Sequence, residues 1–165
     1  MKNTASSQVT LAALTLLRET FEGPSGPSTY FIDNNPKAGL FATIEALSAE
    51  EVSRPFGGGG ASIAGHVYHI GFHLDMSSAW LRRDREPRDW SRSWTITALD
   101  EQGWADLRSR LRQQFEELVR AIETEPAARD EELATTIGAI AHAAYHLGAI
   151  RQRIAAVPAG FASTG

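Results

Sequence analysis

The sequence predicts an all-α protein, specifically an up-down four-helix bundle. An extra short N-terminal helix, followed by a loop, is expected to precede the bundle. Apolar residues recur at steps of three and four along most of the chain, which is the spacing of one face of an α-helix. Signals for strands are nearly absent. The later predicted helices are joined by short connections, which favour antiparallel neighbours in a bundle.

Composition limits the classes of function. The 165 residues fit a single domain, 1–165, and a domain of this size buries roughly 70% of its unfolded surface. The chain has no cysteine, which excludes disulfides, thiolate zinc sites and a cysteine nucleophile. Any metal must therefore be held by nitrogen and oxygen ligands. A net charge of −4 argues against nucleic acid as a partner.

A membrane partner is not expected either. No apolar run approaches the roughly 20 residues needed to span a bilayer. The apolar stretch 9–17 resembles the core of a signal peptide, but Arg18 and Glu19 follow it directly and no cleavage pattern is present. We therefore expect a cytoplasmic protein.

The first predicted helix covers residues 8–22 and is followed by a loop. Its apolar stripe consists of Leu11, Leu14, Leu17 and Phe21. The run Gly23-Pro24-Ser25-Gly26-Pro27 cannot continue a helix, so the chain is expected to run irregularly from there to Pro36. Three consecutive apolar side chains are expected to pin this loop to the core: Tyr30, Phe31 and Ile32.

The bundle core is expected over residues 39–156. A second apolar stripe consists of Leu40, Ile44 and Leu47. It runs into Ser48-Ala49-Glu50-Glu51, a capping-box pattern at which a helix can break or restart. The glycine run at 57–60 is interpreted as a flexible joint. It is not a phosphate loop, because the residues after it lack the Gly-Lys-Ser/Thr ending that phosphate binding needs.

Three longer helices complete the predicted core. Two of them, at 62–83 and 131–156, follow good capping residues, Ser62 and Asp130. The segment 86–96, which follows the first of these helices, contains Pro, Arg and Trp and is expected to be irregular. The third helix runs from 99 to 123. Its buried stripe is expected to consist of Trp104, Leu107, Leu111, Phe115, Leu118 and Ile122.

All five histidines lie at helical spacing in the helices 62–83 and 131–156. They are His66, His69, His73, His142 and His146. Side chains three or four residues apart lie one turn above each other, with Cβ atoms about 5–6 Å apart. Two such imidazoles can bind one metal ion, and a third from a facing helix would complete an open three-histidine site. Ala139 and Ala149, beside the second pair, leave space for an ion.

Other interpretations of these histidines exist. A single histidine near a core is usually only hydrogen-bonded, and one pair four residues apart is often coincidence. A pH switch is a further alternative, since histidine titrates near neutrality. Two clusters that together use every histidine of the chain favour a metal site over these alternatives.

Both clusters resemble a known family. The segment 62–70, SIAGHVYHI, is similar to the second-helix motif of the DinB/YfiT-like superfamily, in which a Ser or Thr precedes a ligand histidine by seven residues. The segment 140–152 resembles the last-helix signature of that superfamily more closely. The most specific part of this match is Tyr-His-Leu-Gly at 145–148, followed by Ile-Arg-Gln at 150–152.

The resemblance implies a DinB-like four-helix bundle that binds one divalent ion through three histidines. Carried over position by position, these ligands are His69, His142 and His146. His66 is then a polar residue that lines the same cleft. His73 is a candidate for a supporting or substrate contact, and its coordination as a fourth ligand stays open.

No catalytic residue is assigned from the sequence. The second histidine pair has the spacing of the metalloprotease helix, but Ala143 stands where that motif has its glutamate. No other carboxylate falls convincingly on the histidine faces. Arg153 falls on the same side of its helix as His142 and His146. It could contact an anionic substrate, or it could be a surface arginine at the helix end.

Members of the family with an assigned activity resemble metal-dependent transferases that use low-molecular-weight thiols, or isomerases and hydrolases. We therefore expect a metal-dependent enzyme acting on a small molecule, with thiol transfer ahead of hydrolysis or isomerisation. The alternative is a non-enzymatic metal- or ligand-binding bundle used in a stress response. Zinc is the default ion, and nickel, iron and manganese also suit imidazole ligands. A low-molecular-weight thiol is the second candidate cofactor. A homodimer is favoured, with exposed Trp90 and Trp94 contributing to it.

Overall fold

The computed structural model describes residues 4–56, 60–125 and 129–156. Over these residues the chain is helical and contains no strand, which confirms the predicted all-α class. The helices are α1 (Thr4–Glu22), α2 (Leu40–Glu45), α3 (Ala49–Ser53), α4 (Ile63–Leu81), a 3-10 helix (Trp90–Trp94), α5 (Glu101–Thr124) and α6 (Asp130–Ala156). The first three glycines of the predicted joint at 57–60 lie outside the described residues.

The four long helices α1, α4, α5 and α6 form the bundle. α4 packs against both α5 and α6, and α1 packs against α6, α5 and α2. The first helix therefore belongs to the core, although the sequence placed it outside as a short extra helix. Leu17 and Phe21 of α1 are fully buried. Leu11, at the start of the predicted stripe, is 62% exposed and does not belong to the core.

The second apolar stripe and the capping box after it form the short helices α2 and α3, with the break where the sequence indicated it. The backbone N–H of Ser48 donates to Oε2 of Glu51 at 2.8 Å, and the backbone N–H of Glu51 donates to Oγ of Ser48 at 3.3 Å. This confirms the capping box that the sequence indicated. Because such a cap fixes a new helix start, the chain turns between α2 and α3. Leu40 and Ile44 of α2 still reach the core.

The middle of the core contains a cluster of three phenylalanine rings from α1, α2 and α5. The centroids of Phe21, Phe41 and Phe115 lie between 4.9 and 5.4 Å apart. Trp104 of α5 is fully buried, and its Nε1–H donates to the carbonyl of Leu47 at 2.8 Å. All six residues of the stripe predicted for α5 are buried, so that prediction is confirmed.

The loop after α1 is held by a carboxylate rather than by its apolar side chains. Tyr30 is 76% exposed and Phe31 is 47% exposed, so the prediction that they pin the loop is wrong; Ile32 does pack against the core. The carboxylate of Glu19, only 6% exposed, accepts hydrogen bonds from the backbone N–H groups of Tyr30, Phe31 and Ile32 at 2.9 to 3.3 Å. Successive N–H groups that converge in this way form an anion-binding turn.

The starts of the site helices follow capping rules. Oγ of Ser62 accepts the N–H of Gly65 at 3.1 Å and caps α4, as predicted. α6 begins at Asp130 itself, so Asp130 is the first residue of the helix and not its cap. Between α4 and α5 the chain is irregular, as predicted, except for the 3-10 helix, which packs on α4 beside the first histidine cluster.

Within the described residues, α6 is the helix whose length and apolar composition would suffice to cross a membrane. Its apolar character has a structural explanation, because Ile140, Leu147 and Ile150 are buried in the bundle. Its first turn carries three acidic residues. We therefore interpret α6 as a core helix of the bundle.

The role of Glu19 can be tested by removing its carboxylate. We expect Glu19→Ala to lower the free energy of unfolding by about 2–4 kcal/mol, because three partly buried N–H groups lose a charged acceptor. Tyr30→Ala, which changes an exposed side chain of the same loop, should alter it by less than about 0.5 kcal/mol. Urea unfolding of both variants measures this. Equal losses of stability in Glu19→Ala and Tyr30→Ala would show that the Tyr30 side chain holds the loop as firmly as the Glu19 carboxylate does.

Candidate metal centre

The histidines of α4 and α6 face each other across the contact between these two helices. His66 lies next to His146, and His69 lies next to His142, so the two helices run antiparallel at this point. Nε2 of His142 is 3.1 Å from Nε2 of His69 and 3.2 Å from Nε2 of His146. The ligand atoms of these three residues all lie within 4.8 Å of one another. The structure therefore brings together the three histidines that the sequence singled out.

The spacing of these nitrogens fits a metal ion. Nitrogens that bind tetrahedral zinc at about 2.0–2.1 Å lie roughly 3.3 Å apart. The two measured separations, 3.1 and 3.2 Å, are close to that value. Three imidazoles occupy only three coordination positions, so an ion held by His69, His142 and His146 would keep at least one position for another ligand.

Burial keeps these imidazoles neutral. Loss of solvent, together with the neighbouring imidazoles, lowers the pKa of His142 to about 3 and the pKa of His146 to about 4. Burial also lowers the pKa of His69, against a smaller opposite effect of the Ser93 backbone. A metal ion binds the neutral form of histidine. The imidazoles are therefore neutral at pH 7, which is the charge state that metal binding requires.

His73 does not join the group of converging nitrogens. Its ring is stacked on the ring of His142, with centroids 4.0 Å apart and planes at 15°. Nδ1 of His73 lies 3.4 Å from Oγ of Ser77 on the next turn of α4. A ring stacked in this way presents its face to its neighbour rather than a nitrogen lone pair. His73 therefore supports His142 by contact, as one of the two roles left open for it.

His66 lies directly behind His146 and connects it to an arginine. Nδ1 of His66 is 2.9 Å from Nδ1 of His146. Nε2 of His66 accepts a hydrogen bond from Nε of Arg153 at 3.0 Å. The guanidinium of Arg153 also lies over the ring of Phe56, 4.4 Å from its centroid. Arg153 is thus a half-buried part of the site and not a solvated arginine at the helix end.

Two tryptophans of the 3-10 helix form one wall of the site. The ring of Trp94 is stacked on His69, with centroids 3.9 Å apart and planes at 17°. The ring centroid of Trp90 lies 6.4 Å from that of His69 and 6.0 Å from that of His73. Both tryptophans were expected to contribute to a dimer surface. Their contact with the histidine rings was not predicted from the sequence. The available signal was a pair of aromatic residues in the connection that directly follows the first histidine helix.

No carboxylate is a hydrogen-bond partner of the five histidines in the described part of the chain. Their partners are other imidazoles, Ser77 and Arg153. The buried Nδ1 atoms of His69 and His142 have no hydrogen-bond partner among these residues. Within the residues that the structure describes, no carboxylate is therefore placed to act as a base through a direct hydrogen bond to these histidines.

A helical bundle in which three imidazoles from two facing helices meet belongs to the class of histidine-lined bundles with a candidate metal site. The chain is a member of the DinB superfamily, whose family description matches residues 37–151. That range is more than half of the chain and includes all three converging histidines, while α1 lies before it. The family resemblance noted in the sequence is confirmed. No curated protein and no solved structure matches the chain.

The lowered pKa values predict acid sensitivity of the metal-free protein. Unfolded histidines titrate near pH 6.5, whereas the pKa of folded His142 is about 3 and that of His66, His73 and His146 is about 4. Between these values the unfolded chain binds protons that the folded chain does not, so stability falls as the pH is lowered from about 6.5 to about 4.

Thermal unfolding of chelator-treated protein between pH 7.5 and 4 measures this fall. The variant His142→Phe keeps a ring of similar shape and removes one of the titrating groups. We expect a smaller fall in its midpoint temperature over the same pH range. A fall as large as in the wild-type protein would contradict the assignment.

Proposed function

We propose that the protein is a metal-dependent enzyme of the DinB type that acts on a small molecule. The observation that carries this proposal is the convergence of three neutral imidazole nitrogens, from His69, His142 and His146, on one point. Such a set leaves coordination positions for a substrate, whereas structural zinc sites are normally closed by four protein ligands. Zinc is the default ion, and nickel, iron and manganese are the alternatives that imidazole also suits.

Within this class we favour thiol transfer over hydrolysis or isomerisation. A bound divalent ion can lower the pKa of a coordinated thiol or water and can polarise a carbonyl group. A thiol starts from a pKa near 8.5 and water from 15.7, so the thiol needs less help from a base. The finding that no carboxylate is hydrogen-bonded to the histidines in the described residues supports the thiol as nucleophile. A low-molecular-weight thiol is therefore the proposed second cofactor.

The residues around the three histidines have supporting roles in this proposal. Trp94, stacked on His69, and Trp90 give the site an apolar wall that would shield a bound substrate from water. His66 orients the ring of His146 through their Nδ1 atoms, as hydrogen-bond partners of metal ligands commonly do. His73 holds the ring of His142 by stacking.

The second candidate function is a non-enzymatic metal- or ligand-binding bundle in a stress response. This non-enzymatic role is favoured because, over the described ranges, no carboxylate that could act as a base is hydrogen-bonded to the histidines. We also propose that the partner is a small molecule and not nucleic acid or a membrane. The proposed location is the cytoplasm, and the proposed assembly is a homodimer. Light scattering of the purified protein would measure the last of these.

The ligand assignment predicts which histidine variants lose metal. We expect His142→Ala to lose both bound metal and activity, because one of three ligands is removed. His73→Phe preserves the stacked ring and removes its nitrogens, so it should retain one ion per chain. Elemental analysis of the purified variants decides this. Stoichiometric metal in His142→Ala would refute the assignment, and loss of metal in His73→Phe would make His73 a ligand.

The enzyme and the binder can be separated with cobalt in place of zinc. If the open position accepts a thiol, low-molecular-weight thiols should change the visible spectrum of the cobalt protein through a new sulfur ligand. The His142→Ala variant, treated in the same way, controls for cobalt bound elsewhere. A spectrum that no thiol changes would favour the non-enzymatic binder over thiol transfer.

A further inference from the structure

The hydrogen bonds of His66 determine where its proton lies. A guanidinium group is always protonated and only donates, so Nε2 of His66 must accept the bond from Nε of Arg153. A ring that accepts a hydrogen bond through one of its nitrogens is not an imidazolium, because both nitrogens of an imidazolium donate, so His66 is a neutral imidazole. A neutral imidazole carries one N–H. The proton of His66 is therefore on Nδ1.

The position of the His66 proton determines the position of the proton on His146. Nδ1 of His66 donates to Nδ1 of His146 across 2.9 Å, because two lone pairs cannot face each other at that distance. His146 then carries its own proton on Nε2. That atom is the one that faces Nε2 of His142 at 3.2 Å, in the middle of the three-histidine cluster.

A metal ion requires the opposite arrangement. Coordination by Nε2 of His146 needs a lone pair on that atom, so the proton of His146 must lie on Nδ1 and be donated to His66. The proton of His66 must then lie on Nε2, which is the atom that faces the N–H of Arg153 at 3.0 Å. Two donors cannot share that contact. Each ring keeps one proton, and only its position changes.

We propose that Arg153 is the anion-binding residue of the metal centre, and that metal binding releases it from His66 by reversing the His66–His146 hydrogen bond. This inference rests on the proposed function, since it needs an ion at the three histidines. The metal-free chain keeps Arg153 occupied, and the metal-loaded chain makes it available. Metal and anion are thereby coupled, although Arg153 is not a metal ligand.

The surroundings of Arg153 suit this role. No carboxylate pairs with its guanidinium in the described residues, where its contacts are His66 and the ring of Phe56, with Gly60 beside it. Stacking on Phe56 orients the planar group without using its N–H donors. A guanidinium binds oxyanions through two parallel N–H bonds. The substrate class is therefore a small molecule with a carboxylate or phosphate group.

The proton positions can be observed without activity. Long-range nitrogen–proton NMR of the histidine side chains, assigned with single histidine variants, reports which ring nitrogen is protonated. In the metal-free protein we expect N–H at Nδ1 of His66 and at Nε2 of His146. Zinc should move both protons to the other nitrogen. An Nε2-protonated His66 in the metal-free protein would overturn the inference.

A double-mutant cycle separates the hydrogen-bond reversal from simple charge repulsion. Arg153→Met should raise zinc affinity by about tenfold or more, the size typical of groups that support metal ligands. In a His66→Phe background the rise should be several-fold smaller, because only the charge effect remains. Arg120→Met, which removes an exposed charge on α5, serves as control and should leave zinc affinity unchanged. An equal rise in both backgrounds would overturn the inference.

The anion can be tested with sulfate, at constant ionic strength. Sulfate should bind the zinc-loaded protein more tightly than the metal-free protein, and should raise zinc affinity by the same factor, since the coupling is reciprocal. Arg153→Met should abolish both effects. If sulfate binds both forms equally, the inference fails while the metal site stands. If the wild-type protein binds no zinc, the proposed function fails together with it.

Discussion

The close contact between α4 and α6 is the interaction on which the site depends. Ala139 and Ala143 of α6 are fully buried in the bundle and contribute only methyl groups to it. Small residues let two helices approach closely. The longer histidine side chains beside them then meet their counterparts at about hydrogen-bond distance, at 2.9 Å for His66 and His146.

The histidine cluster is a costly way to fill this contact. Buried polar atoms normally have a hydrogen-bond partner, yet Nδ1 of His142 has none among the described residues. Burial also lowers the pKa of every histidine of the chain. Apolar side chains of similar volume would satisfy the core better. Groups that destabilise a core without packing benefit are typical of functional sites, and three of these imidazoles are placed so that they could share a cation.

Sequence patterns were sufficient where structure is decided locally. The stripe of α5, the Ser48 capping box and the Ser62 cap depend on residues within one or two helical turns, and the structure has all of them. The patterns failed where distant segments meet. Glu19 binds N–H groups eleven or more residues away, and Trp94 reaches His69 only because the connection folds back on α4. The histidines were an exception: their helical spacing predicted two facing clusters, and the family resemblance implied which three of them, His69, His142 and His146, would meet.

The charge of the site follows from its residues and limits what can bind there. The three converging imidazoles are neutral at pH 7, so a divalent ion would keep its full charge of about +2. Arg153 adds a further positive charge, and no carboxylate is hydrogen-bonded to the histidines among the described residues. This local charge has the opposite sign to the net charge of the chain, −4. In a half-buried site such a field selects anions over neutral molecules. A thiolate and an oxyanion can both satisfy it, the first at the ion and the second at Arg153, and a substrate that carries both groups would be oriented by the two charges.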